Sequence, residues 1–194
     1  EKSGVTLLYT PFAREAFVFI VNADNPVNSL TEQQVRDIFS GAITNWRAVG
    51  GDDQEIQTWQ RPEDSGSQTV MLSQVMKNVR MISPQETEVA SVMEGMINVV
   101  AEYRNTKNAI GYTFRYYATQ MNADKNIKLL AINGIAPTAE NIRNDKYPYI
   151  VDALMVTREN TTSETQKLVE WFLTPQGQSL VEDVGYVPMD KTLH

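Results

Sequence analysis

Apolar residues recur along this chain in two rhythms, and the change from one to the other marks its elements. From Ala16 to Asn22 the run AFVFIVN has no polar break, which suits a strand buried on both faces. Ahead of it, VTLLY (Val5 to Tyr9) reads as a separate short strand that Pro11 stops, because proline brings no N–H to a ladder. After the loop ADNPVNS the spacing changes. In SLTEQQVRDIFSG, Val35, Ile38 and Phe39 fall three and four apart on one helical face. Thr31 with Gln34 three residues later reads as a capping box, and Gly41 as the stop. AITNWRAVGGDDQ is loop-like, with a turn at Gly50 to Asp53. EIQTWQR predicts a strand ending at Arg61, and a helix is expected from about Ser67 to Val79 until Ser83-Pro84 breaks it. A second helix in TEVASVMEGMINVVAEYRN sets Val89, Val92, Met93, Met96, Ile97, Val100 and Tyr103 on one side. AIGYT and IKLLAI read as strands, PTAENIRN as a short helix, and YPYIVDALMVT (Tyr147 to Thr157) as a long strand. Two helices close the chain: SETQKLVEWFL with Ser163 as cap, and PQGQSLVEDVG with Pro175 at its first position and Gly185 as stop. Strands alternating with helices predict an α/β fold.

Composition narrows the chemistry. At 194 residues the chain is one large domain or two small ones, with enough length to bury a real core. It has no window of 18 apolar residues to cross a membrane as a helix. Cysteine is absent, which removes disulfides, thiol nucleophiles and thiolate metal sites. The single histidine is His194, so a Ser-His-Asp triad or a histidine zinc site would need the last residue to fold back. The formal charge of -7 leaves no basic stripe for nucleic acid, although local dipoles and one guanidinium can still hold an anion.

That combination occurs in WQRPEDSGSQTVM, Trp59 to Met71. A strand, a turn and a helix in succession leave free N–H groups at the first helical turn, on the positive end of the helix dipole. Gly66 offers no Cβ to obstruct a ligand, and Ser65 and Ser67 add hydroxyls. Arg61 can bring a forked pair of donors over the same point, with Glu63 placed to hold the guanidinium. A Ser-Gly-Ser turn also serves as an ordinary helix cap, and Arg-Pro-Glu-Asp as solvated surface; both readings stand on the residues alone. Trp46, Trp59 and Trp171 are expected in the core or at a hinge, the methionines as core filling, and Tyr112 and Thr113 at a lobe edge. Asp52, Asp53 and Glu55 lack the ligand series of a calcium loop, so no metal is expected.

The stretch NPVNSLTEQQVRDIFSGAITNWRAVGG, followed by IQTWQRPEDSGSQTVM, resembles the phosphate-binding proteins of bacterial ABC importers. Leu30, Thr31, Ile38, Phe39, Ser40, Gly41, Ile43, Thr44, Asn45 and Trp46 match the first motif of that family. Arg61, Ser65, Gly66 and Ser67 match the second with its spacing kept, serine at 67 standing for the usual threonine. AIGYTFRYY, GIAPTAENI and WFLTPQGQSLVEDVGYVPM follow in family order. The resemblance implies a type II periplasmic-binding-protein-like α/β fold, a mixed sheet flanked by helices. It implies phosphate held by Arg61, Ser65, Gly66, Ser67 and Gln68, with Glu63 behind them and with neither cofactor nor metal. The implied partners are ABC permease subunits and not nucleic acid. The implied location is extracytoplasmic, with membrane attachment only through a lipid anchor outside this chain. Family members have two lobes, and the counterpart of the amino-terminal half, with a first anion loop and an aspartate for the phosphate proton, is not found here. The expected division is therefore 1–16 in a partial first lobe, 17–145 as the complete second, anion-binding lobe, and 146–194 returning to the first. Half an anion site and weak phosphate affinity follow. A sensor or adhesion module of the same fold is the alternative function. A serine hydrolase would need a general base that the sequence does not place near Ser65 or Ser67.

Overall fold

A computed structural model of the chain describes residues 4–84, 89–91, 93–102, 107–121 and 126–189. One strand, β1 (Leu7–Asn22), organises the rest. It replaces the two strands expected on either side of Pro11. Pro11 lies inside it, opposite Leu154, and the register shifts between Pro11 and Ala13. A bulge at that point accommodates the missing N–H, so proline interrupts the ladder without ending the strand.

The two ends of β1 have different partners. From Leu7 to Ala16 it runs antiparallel to β7 (Ile150–Arg158), with β8 (Val187–Pro188) opposite Ala13 and Arg14. From Phe17 onward it lies between β4 (Ala109–Phe114) and β5 (Ile127–Leu129), both antiparallel, and β3 (Gln57–Thr58) joins β4 in parallel. The sheet is thus mixed. Ala16 to Val21 are wholly buried, as their unbroken apolar run implies. Phe17 and Phe19 pack with Phe39, Tyr112 and Tyr149 through ring contacts of 5.4–6.5 Å.

Helix α1 (Glu32–Ser40) follows the short β2 (Ser29–Leu30) and bears out the expected signals. Thr31 and Gln34 form the reciprocal capping box, and Gly41 ends the helix at φ 82°. Val35, Ile38 and Phe39 are its buried face. Trp46 is buried, with its Nε1 donating to Asn108 O at 2.9 Å. Helix α2 (Gly66–Val70) continues as a wider π-type turn, Met71–Met76, and ends at Lys77 with φ 53°, earlier than the expected Val79. Val89 bridges Gln60 as extended chain, so helix α3 (Met93–Glu102) begins later than its apolar pattern suggested. Val92, Tyr103 and His194 lie outside the described residues. IKLLAI divides at Leu130 into β5 and β6 (Ala131–Ile132), because β6 leaves the large sheet to pair with β2.

Helix α4 (Ala139–Arg143) precedes β7, and α5 (Ser163–Phe172) and α6 (Pro175–Asp183) follow it. The cap of α5 is Thr162, one residue before the expected Ser163. Its extended backbone puts Oγ1 within reach of the Thr165 N–H at 3.3 Å. Trp59 is in the core, but Trp171 is 37% exposed and only edge-stacks on Phe172. Met71, Met76 and Met96 are buried, as core filling requires.

Candidate functional site

Strand β3 pairs with β4 through Thr58 and Ile110, and one step later Trp59 N donates to Ile110 O at 2.9 Å. The chain then leaves the sheet at Arg61, whose own N–H is taken by the Tyr112 hydroxyl at 3.0 Å. Ser65 N–H donates to Pro62 O at 3.0 Å and closes the turn, and α2 starts at Gly66. The strand-to-helix turn is therefore clamped at both ends, by a buried phenol at Arg61 and by a backbone hydrogen bond at Ser65.

Inside it, donors converge on one oxygen. Ser65 Oγ lies 3.4 Å from Arg61 Nε, 2.9 Å from Ser67 Oγ and 3.4 Å from Gln68 N. Ser65 is thus the N-cap of α2, as the capping reading holds, and the guanidinium also reaches the same spot. Arg61 NH1 is turned away, donating to Ala90 O at 2.6 Å. Among the described residues no protein acceptor takes the N–H of Gly66 or Ser67. Gly66 is exposed, and a Cβ there would meet nothing within 4 Å, so the space beside the turn is open. Ser67 and Gln68 are buried.

One neighbour, Tyr112, carries weight that its place in the sequence does not suggest. Tyr112 is fully buried; its hydroxyl accepts from Arg61 N and donates to Gln68 Oε1. It is not at an edge, and neither is Thr113, because β4 is covered on both faces. Burial pushes the Tyr112 phenol well above its ordinary range, so it remains a neutral donor. Burial also draws the Arg61 guanidinium below its ordinary value, opposed by Tyr112 and by the charge of Asp64. Glu63 makes no ion pair with Arg61 among the described residues. Both line a cavity of about 410 Å3 that also takes in Arg80, Met81 and Pro84. Such a set can donate hydrogen bonds to an oxyanion. Among the described residues, the Ser65 hydroxyl meets Arg61 and Ser67, and no carboxylate is bonded to either serine.

The described residues contain no group of three or more histidine or acidic side chains placed to hold a metal, and no helix long and apolar enough to cross a membrane.

A family model described as a PBP superfamily domain matches residues 1–176. The phosphate-binding protein PstS of Borreliella burgdorferi is 26% identical over 183 residues, covering 92% of this chain and 64% of that protein. The PstS of Bacillus subtilis strain 168 is 28% identical over 194 residues, covering 97% of this chain and 61% of that protein. This chain therefore spans less than two thirds of the length of either. Among solved structures, an ABC-type phosphate transport receptor from Vibrio cholerae superposes with a TM-score of 0.75 at 26% identity, covering 94% of this chain and 72% of that one. A Clostridium perfringens protein solved with bound phosphate superposes with a TM-score of 0.79 at 25% identity, covering 95% and 72%.

Proposed function

The chain belongs to the PBP superfamily, and from that premise we propose that it is the phosphate-gripping part of a solute-binding protein serving an ABC importer. Its partners are then inorganic phosphate and permease subunits, and its place is outside the cytoplasm. In this reading Arg61, Ser65, Gly66, Ser67 and Gln68 hold the anion. Relatives that carry the name of phosphate-binding proteins support the ligand class.

The observation that carries the reading is the convergence at Ser65 Oγ. A guanidinium N–H, a serine hydroxyl and a helix N-terminal N–H already meet at one neutral oxygen. A phosphate oxygen seated beside it accepts the same donors more strongly, because charge-assisted hydrogen bonds are roughly twice as strong as neutral ones. The N–H groups of Gly66 and Ser67 stand next to that point, at the positive end of the helix. Selectivity against sulfate needs an acceptor for the phosphate proton, and the five residues named here are chiefly donors.

The same reading puts residues 17–145 in one lobe, with 1–16 and 146–194 belonging to a second, partial lobe, so the chain holds one side of a cleft. Phosphate titration of isotope-labelled chain followed by amide NMR tests both statements. Millimolar phosphate is expected to shift the amides of Ser65 to Gln68, and Arg61→Ala to abolish the shift. Movement confined to other regions would reject the site. Micromolar or tighter binding of phosphate by this 194-residue chain in calorimetry would reject the half-site.

A further inference from the structure

Glu15 has no task in phosphate binding, yet it is 5% exposed, and it lies where β1 passes from its pairing with β7 to its pairing with β4. Its carboxylate accepts the N–H of Ala16 at 2.7 Å and of Tyr116 at 2.9 Å. Among the described residues no side-chain cation pairs with it. The charge of Arg115 acts from one side, but that guanidinium donates to Gly185 O at 3.1 Å.

In front of Glu15 is a cavity of about 280 Å3. Phe114, Tyr117 and Tyr186 give it aromatic walls, Val151 and Ala153 an apolar flank, and Asp152 a second carboxylate. No lysine or arginine is among the lining residues described. Tyr186 is held by Tyr116, whose ring stacks on it at 4.6 Å and 15°.

We propose that this cavity binds a small organic ammonium ion, with Glu15 as its counter-charge and the three aromatic rings as its cage. Aromatic faces attract cations through the ring quadrupole, most effectively when water is excluded. A carboxylate buried among amides and rings gains from a cation that it otherwise lacks. Burial holds the Glu15 carboxyl above its ordinary range, against the lowering effect of the Ala16 and Tyr116 N–H groups and of the Arg115 charge. A hard inorganic cation fits less well, since calcium takes six to eight oxygens and magnesium six, whereas the lining here is mostly apolar. The volume falls just below the roughly 300–1,000 Å3 of ordinary ligand pockets, which restricts the guest to a few heavy atoms. This site is independent of the oxyanion turn.

Choline and its neutral isostere 3,3-dimethyl-1-butanol are the probes, titrated into the whole chain and followed by NMR of the tyrosine ring signals. The expected result is saturable binding of choline that shifts Tyr117 and Tyr186, at least tenfold tighter than the alcohol. Glu15→Gln should weaken choline at least tenfold while leaving the alcohol unchanged, and Tyr186→Leu should weaken both. Equal binding of the two probes, choline affinity unaltered by Glu15→Gln, or shifts confined to other residues would overturn the proposal. If Glu15→Gln does not fold, as judged by circular dichroism, the comparison of charged and neutral probe on the unaltered chain still decides.

Discussion

The Tyr112 hydroxyl accepts the Arg61 N–H at 3.0 Å and donates to Gln68 Oε1, so one buried phenol holds both the strand end and the helix start. Tyr112→Phe leaves two polar groups without partners in the core. A loss of about 1–3 kcal/mol in urea-unfolding free energy is expected, along with weaker phosphate-induced shifts at residues 65–68. Glu15 gives a pH dependence whose sign follows from its raised pKa. The folded state holds that proton to higher pH than the unfolded state does. Stability should therefore be greatest below the unfolded-state pKa and decline as pH rises through the folded one. Glu15→Gln removes that decline, which urea titrations at a series of acidic pH values would detect. The Arg61, Ser65 and Ser67 set was legible in the sequence because it occupies seven consecutive positions. Tyr112, fifty-one residues beyond Arg61, had no local signal to connect it to the turn.

Helix α1 shows an element whose limits are set by its own residues. Thr31→Ala removes the side chain that accepts the Gln34 N–H at 3.0 Å and should destabilise the fold by roughly 0.5–2 kcal/mol in chemical denaturation. Gly41→Ala fails for two reasons. The residue sits at φ 82°, and a Cβ there would stand 2.7 Å from Ile82 Cγ2. A loss larger than the ~0.4–1 kcal/mol that glycine-to-alanine changes gain at compatible backbone positions is expected, read as a lowered melting temperature. Strand β1 shows the opposite case. Proline suggested an end, but β7 supplies a partner on both sides of a bulge, and a partner 143 residues away (Pro11 against Leu154) cannot be read locally. The cap of α5 moved by one residue because Thr162 and Ser163 are both hydroxyl residues, and backbone conformation alone chose between them.

Across the whole molecule, the outer half of the β1–β7 ribbon leaves apolar side chains in water. Tyr9 lies opposite Val156 and Pro11 opposite Leu154, so these four share a face. Tyr9 is 61%, Leu154 46% and Val156 52% exposed. A patch of this kind binds hydrophobic dyes and invites association. Tyr9→Ser with Val156→Thr should reduce dye fluorescence and light scattering, yet move the melting temperature by only a few degrees, because neither side chain belongs to the core. By itself the sequence determined the α/β class, the buried strand from Ala16 to Val21, the bounds of α1 and the donor-rich turn, since each depends on residues within a few positions of one another. Tertiary structure alone decided that β1 is one strand serving two sets of partners, that Tyr112 clamps the turn, and that Glu15 faces an aromatic cavity. Those depend on contacts across more than thirty residues, where pairing and burial, rather than local preference, fix the outcome.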